Sequence, residues 1–223
     1  MAVLVRVWDA PTRLFHWALA LCLAALIITS QVGGAAMAWH FRFGYGVLTL
    51  LLFRMVWGFL GGHWSRFSTF LAGPLAIWRY LQGQAKPQDG VGHNPLGALS
   101  VVAMLVFLAL QVTTGLMSDD EIAHAGPLTR FVSSVWVSNA TFYHKNIGKF
   151  ILLGLVVLHL SAIAFYFLRK QENLVTPMIT GDKSLTFAAP SARDDWSDRG
   201  RAGLLFLVCA GLVSGAVISM DGF

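Results

Sequence analysis

Two histidines share one hydrophobic stretch. His144 lies near its start and His159 in the middle of an apolar run that reaches Leu168. Fifteen residues of α-helix rise about 22 Å, most of the way through the hydrocarbon core of a bilayer. At about 100° per residue, fifteen steps make four turns plus roughly 60°, so both rings face one broad side of the helix. An imidazole inside lipid is costly without a partner, which makes it a functional candidate. His16 and His40 stand on two earlier apolar segments. Two pairs of imidazoles at two depths suit two metal centres stacked through a membrane.

The elements that must position them follow from composition. The chain has 223 residues, 56% hydrophobic and 12% charged. Soluble domains carry about 25% charged residues. With a mean hydropathy of +0.64, the deficit indicates one integral membrane domain and leaves no room for a large soluble one. The pI of about 9.6 does not point to nucleic acid, because the basic residues cluster at segment ends and so report topology. Cys22 and Cys209 lie inside apolar runs. Neither belongs to a Cys-x-x-Cys-His element, so covalent c-type haem attachment is not supported, and a disulfide is not expected.

Five apolar segments are predicted to span: about 14–32, 41–60, 96–117, 147–168 and 203–220. Each approaches the roughly 20 residues a spanning helix needs. The last is the shortest and the richest in glycine. Arg6 and Arg13, then Arg66, Arg79 and Lys86, then Arg169, Lys170, Lys183, Arg193, Arg199 and Arg201 fall on one side. The other side has Arg42, Arg130 and Lys145, with Asp119, Asp120 and Glu121. The positive-inside rule then places the N-terminus in the cytoplasm and the 118–143 loop outside. A signal peptide is a rival for the first segment, but the run is long for one and cleavage would discard His16. Phe67, Phe70, Leu71, Leu75 and Trp78 recur at helical spacing, and Gly73-Pro74 suits a helix start. An interfacial helix or a packed surface loop would each fit. Residues 194–201 read as a solvated linker.

Depth sorts the histidines. His40 and His144 start spans on the outer side, whereas His16 and His159 lie towards the cytoplasm. The expected pairs are therefore His40 with His144 and His16 with His159. Gly44 and Gly148 follow His40 and His144 by four residues, and Ala20 and Ala162 lie close to the other two. Residues i and i+4 share a helix face, so a small side chain there leaves room for a planar macrocycle. Small residues also help helices pack in membranes. Zinc or copper would want three or four ligands at one site, and the pairs are too far apart for that. The spans carry no buried Asp or Glu to extend a proton relay. Haem asks the protein for only two axial ligands. Two b-type haems are thus the best chemical reading.

Arg54 lies fourteen residues after His40, about 21 Å along the second span and about 40° from its azimuth. Its guanidinium could pair with propionates of the inner haem. It could equally be an arginine snorkelling at a helix end. Arg42 and Lys145 are weaker candidates for the outer haem. His63, His93 and His124 fall in connections, as surface or propionate-contacting residues. No phosphate-binding glycine loop, Ser-His-Asp set or paired carboxylate appears.

VWDAPTRLFHW, WHFRFGYGVLTLLLFRMVWGF, GHNPLGALS, YHKNIGKFILLGLVVLHL and ENLVTPMITGDK together resemble the bacterial cytochrome b561 and nickel–iron hydrogenase b-type cytochrome family over about residues 3–183. The resemblance implies a four-helix core with two b haems, ligated by His16, His40, His144 and His159. The expected fold is an all-α integral membrane one: a four-helix haem-binding transmembrane bundle plus a fifth C-terminal transmembrane helix. Its expected parts are a di-haem domain at 1–183, a cytoplasmic linker at 184–202 and the extra helix at 203–223. The fifth span is shared with the hydrogenase branch.

The expected function is electron transfer in the bacterial inner membrane, between the quinone pool and a redox protein. That partner is a c-type cytochrome or an oxidoreductase such as a hydrogenase subunit. Quinone is a further cofactor candidate, membrane lipid surrounds the chain and nucleic acid is not a partner. Asp119 to Glu121 could dock a basic partner or be plain loop charge. The alternative is an oxidoreductase in its own right, oxidising superoxide or reducing quinone without a protein partner.

Overall fold

The computed structural model describes residues 2–84, 86–122 and 124–221. In chain order these form strand β1 (Val3–Arg6) and helices α1 (Ala10–Val32), α2 (Met37–Leu60), α3 (Phe67–Phe70), α4 (Pro74–Leu81) and α5 (Pro95–Leu116). Then come α6 (Ser134–Tyr143), a π-helical turn at His144–Gly148, α7 (Lys149–Arg169), α8 (Val175–Thr180), strand β2 (Asp182–Leu185) and α9 (Trp196–Asp221). Among the described residues, five helical stretches are long and apolar enough to cross a membrane: Ala10–Val32, Gly34–Leu60, Pro87–Leu116, Ser134–Arg169 and Trp196–Met220. The protein is an all-α integral membrane protein, as its composition required.

The fourth stretch differs from expectation. It begins at Ser134, not near residue 147, and runs 36 residues, about 54 Å at helical rise. Part of the predicted 118–143 loop is therefore helix. The added segment, SVWVSNATFY, mixes polar and apolar residues, so a search for apolar runs passes over it. The segment 67–82 also resolves into detail. It forms two short helices, α3 and α4, with Gly73 as N-cap and Pro74 in the first turn of α4.

The chain forms two compact units, each drawn from three stretches. The first comprises Met1–Phe15, Arg54–Ala103 and Leu155–Gly203. Here β1 pairs antiparallel with β2, Val3 opposite Leu185 and Arg6 opposite Asp182. Val5, Val7, Trp8, Val91 and Leu185 form its buried core. Gly181 ends α8 with φ 95°, a conformation L side chains rarely adopt. Its carbonyl accepts the N–H groups of Val7 (2.8 Å) and Trp8 (3.0 Å).

Two carboxylates organise this unit. Asp9 caps α1, accepting the Thr12 N–H at 2.7 Å. It also accepts from Trp57 Nε1, the Gly62 N–H and Ser65 Oγ. Asp194, within the segment expected to be a linker, accepts the Ala10 N–H at 3.0 Å. The same carboxylate binds Arg6 and Arg199 at 3.0 Å.

The second unit comprises His16–Phe53, Met104–Gly154 and Leu204–Phe223. Val47, Leu51 and Leu108 are its buried centre, packed by Leu19, Leu23, Leu26, Leu105, Val112 and Leu152. Val47 and Leu51 follow Gly44 at i+3 and i+7, so the stripe that carries His40 is the stripe that faces this core.

Candidate functional site

His40 and His144 meet inside the second unit. Their ring centres are 6.3 Å apart and their planes stand at 86°. Each ring is held from behind by a main-chain carbonyl. His40 Nδ1 lies 3.1 Å from the Leu26 carbonyl, and His144 Nδ1 lies 2.9 Å from the Gln111 carbonyl. A carbonyl can only accept, so both Nδ1 atoms carry the proton and both Nε2 lone pairs remain available for a metal. Thr29 Oγ1 sits 3.3 Å from His40 Nδ1 while donating its own proton to the Ala25 carbonyl at 2.7 Å.

The seat of His144 is built by α5. Gln111 grips it twice, because its side-chain Nε2 also donates to the His144 carbonyl at 3.0 Å. Gly115, one turn along α5, leaves room for the ring: a Cβ there would stand 2.7 Å from His144 Cε1. His144 opens the π turn that ends at Gly148. Bonds in such a turn run from i to i+5, so the uniform 100° step from His144 to His159 does not hold through it.

The π turn also corrects the role expected of Gly148. A Cβ on Gly148 would meet Gln111 Oε1 at 2.0 Å and Tyr143 Cε1 at 2.7 Å. Its space is taken by the glutamine that holds His144, rather than being left for a flat ligand. At Gly44 a Cβ would meet no atom within 4 Å.

The geometry can be tested against a bis-imidazole metal site. Metal–imidazole bonds of about 2.0 Å on both sides, plus roughly 1.1 Å from each nitrogen to its ring centre, set the centres about 6.2 Å apart. The observed 6.3 Å matches. Among the described residues no group of three or more His, Cys, Asp or Glu could hold a metal ion. A centre here must bring most of its own ligands, as a porphyrin does.

His16 lies half-buried in the second unit, edge-on to Trp17 with centres 5.0 Å apart. His159 lies half-buried on α7 in the first unit. His93 is half-buried in the first unit, between Trp8 and Phe70 at 4.7 Å and 4.8 Å. His124 stacks on Phe41 at 6.0 Å. His63 packs edge-on to Trp64 at 4.8 Å.

Arg54 is only 3% exposed. A snorkelling arginine would reach water, so that alternative does not describe it. Its guanidinium lies 4.8 Å from the Phe67 ring centre and 5.9 Å from that of Phe70. Arg42 is exposed and rests on Trp39 at 4.7 Å. In the acidic loop, Asp119 accepts the Glu121 N–H at 2.7 Å. Asp120 accepts the N–H groups of Ile122 and His124, both at 2.9 Å. Two of the three carboxylates thus serve their own loop.

Sequence reasoning missed Leu26, Thr29, Gln111 and Gly115. The carbonyls leave no trace in residue type. Gln111 did leave one, as an amide inside an otherwise apolar span.

The family model described as "Prokaryotic cytochrome b561" matches residues 7–181. The chain belongs to the prokaryotic cytochrome b561 family. It is a multi-pass protein of a bacterial membrane, a b-type cytochrome whose work is electron transfer, and its family implies haem b as cofactor. Among curated proteins it is similar to the "Probable Ni/Fe-hydrogenase B-type cytochrome subunit" of Bradyrhizobium diazoefficiens, 24% identical over 80% of this chain and 85% of that one. The "Probable Ni/Fe-hydrogenase 1 B-type cytochrome subunit" of Escherichia coli K12 is 23% identical over 84% of this chain and 94% of its own. A namesake in Azotobacter chroococcum is 26% identical, over 79% and 87%. No solved structure matches. The fit of His40 and His144 to a two-ligand metal centre accords with the haem b this family carries.

Proposed function

We propose that this b561 protein is a di-haem carrier. It passes electrons across the inner membrane between the quinone pool and a hydrogenase-type catalytic partner, with its N-terminus in the cytoplasm. His40 and His144 hold the outer haem, and His16 and His159 the inner one. The observation that carries this reading is the pair of carbonyl-anchored imidazoles with centres 6.3 Å apart.

A bound haem b supplies one-electron iron chemistry, with its potential set by ligands and surroundings. The chain supplies the rest. Leu26 and Gln111 fix the tautomer and orientation of the two rings, and their carbonyls raise imidazole basicity. A more basic ligand favours ferric iron and lowers the potential. The apolar residues around Val47, Leu51 and Leu108 keep water away from the pair. A hydrogenase-type partner is supported by the names of the relatives. Asp119 and Asp120 also accept N–H groups of their own loop, which gives these carboxylates a local structural role.

The test is a pyridine haemochrome assay on the purified protein with an optical redox titration. Two haems per chain are expected. His40→Ala or His144→Ala should remove one and leave the other's potential nearly unchanged. A protein that binds no haem, or that loses the same haem when His16 is replaced, overturns the assignment.

A further inference from the structure

α9 carries no histidine, yet with α1 and α2 it encloses a cavity of about 390 Å³. All of the lining lies within the second unit. Ligand pockets usually measure about 300–1,000 Å³. The cavity is on the far side of α2 from the histidine pair. At about 100° per residue, Val47 and Leu51 lie within about 20° of His40, while Arg42, Tyr45 and Thr49 lie about 140–200° from it. The last three line the cavity and His40 does not.

Its dimensions fit a hydrocarbon chain. Phe53 on α2 meets Phe206 on α9 edge-on, with ring centres 6.2 Å apart. Arg42 precedes Phe53 by eleven residues, and Val217 follows Phe206 by eleven. Arg42 and Val217 both line the cavity, so the two helices run antiparallel and these residues stand at one level. Eleven residues rise about 16 Å, half of the ~30 Å hydrocarbon core and so the depth of one leaflet.

The charge sits at one end. Arg42 is exposed, with its guanidinium 4.7 Å from the Trp39 ring centre. An interfacial tryptophan under a cation marks the level of lipid headgroups. Among the described residues that line the cavity none is acidic. Ser214, exposed and one turn from Val217, adds a hydroxyl to the same end.

We propose that this groove binds one anionic phospholipid. Arg42 pairs with its phosphate, Ser214 donates to a glycerol ester oxygen, and an acyl chain runs between α1, α2 and α9 as far as Phe206. A neutral quinone would leave the guanidinium without a counter-charge. The lipid seats the fifth spanning helix against α1 and α2.

The experiment delipidates the full chain in detergent and titrates it with phosphatidylglycerol or with phosphatidylcholine, read by native mass spectrometry. The wild type should bind one phosphatidylglycerol, about 10-fold more tightly than phosphatidylcholine. Arg42→Gln should erase that preference. A Cβ on Gly46 meets only Cys22 Sγ, at an ordinary 3.9 Å, so Gly46→Leu should fill the cavity and lose both lipids. Equal binding of the two lipids by the wild type overturns the proposal without any variant. So does a preference that survives Arg42→Gln, or unchanged binding in Gly46→Leu. A quinone that co-purifies with the wild type in place of phospholipid, and is lost in Gly46→Leu, overturns it as well.

Discussion

The imidazole of His144 stands at 86° to that of His40, with 6.3 Å between ring centres. Each ring has its back to a carbonyl, Gln111 behind one and Leu26 behind the other. These bonds remove the rotational and tautomeric freedom that a metal ligand would otherwise lose on binding. The seat therefore predicts how substitutions that never touch iron should behave.

Gly115→Ala is expected to weaken the outer haem selectively. The new Cβ would stand 2.7 Å from His144 Cε1 and 3.1 Å from Nδ1. The ring must move, and its bond to the Gln111 carbonyl must lengthen. Loss of such support lowers metal affinity by about 10–100-fold. Haem content should fall towards one per chain, with the His16–His159 signal retained. Full loading with an unchanged spectrum would refute the role given to Gly115.

Gly148→Ala acts through Gln111. The methyl would lie 2.0 Å from Gln111 Oε1, so the amide must withdraw and release the His144 carbonyl. One hydrogen bond of about 1 kcal/mol is lost. The bond from the ring to the Gln111 main chain survives, so haem affinity should fall roughly 5-fold, less than for Gly115→Ala. Haem titration into the apo-proteins would reveal a reversed order if this geometry were wrong.

These two glycines mark where sequence reading stops. The spans were legible because 20-residue apolar runs have few alternatives to membrane helices. The positions of His40 and His144 were legible because polar residues on such runs stand out. Gly148 was misread because His144–Gly148 is a π turn, and HKNIG carries no residue that announces one. In this turn the space beside Gly148 is filled by the Gln111 amide and the Tyr143 ring. α6 was missed because SVWVSNATFY is too polar for a hydropathy signal. Leu26 and Gln111 act through their main chains, which every residue type possesses.

Asp194 predicts a pH dependence. Burial alone would raise its carboxyl, but hydrogen bonds from Arg199, the Ala10 N–H and Arg6 outweigh this and hold it below the usual carboxylate range. A group depressed in the folded state stabilises the fold above its unfolded value of about 3.9. That contribution is lost as pH falls through the folded value. Asp194→Asn should therefore melt below wild type at neutral pH, and the gap should close in acid below about pH 4. Thermal melts across that range test it, and a gap that widened in acid would reverse the sign.

Asp9 predicts the largest loss of stability outside the haem seats. Its carboxylate is 1% exposed and serves four donors from three segments: the first turn of α1, Trp57 on α2, and the Gly62–Ser65 connection. Asp9→Ala would leave these donors buried without an acceptor. Each such group costs about 1–3 kcal/mol, so the four together should reach at least about 4 kcal/mol. Asp9→Asn keeps one oxygen but turns an NH2 group towards donors, and should fall between the two. Thr12 Oγ1 donates to Ser65 Oγ at 2.8 Å, so Ser65 cannot stand in as a new acceptor without giving up its present geometry. Unfolding of the purified proteins in mixed micelles would order the variants. An alanine variant as stable as wild type would show that the start of α1 is held by its apolar contacts and not by this carboxylate.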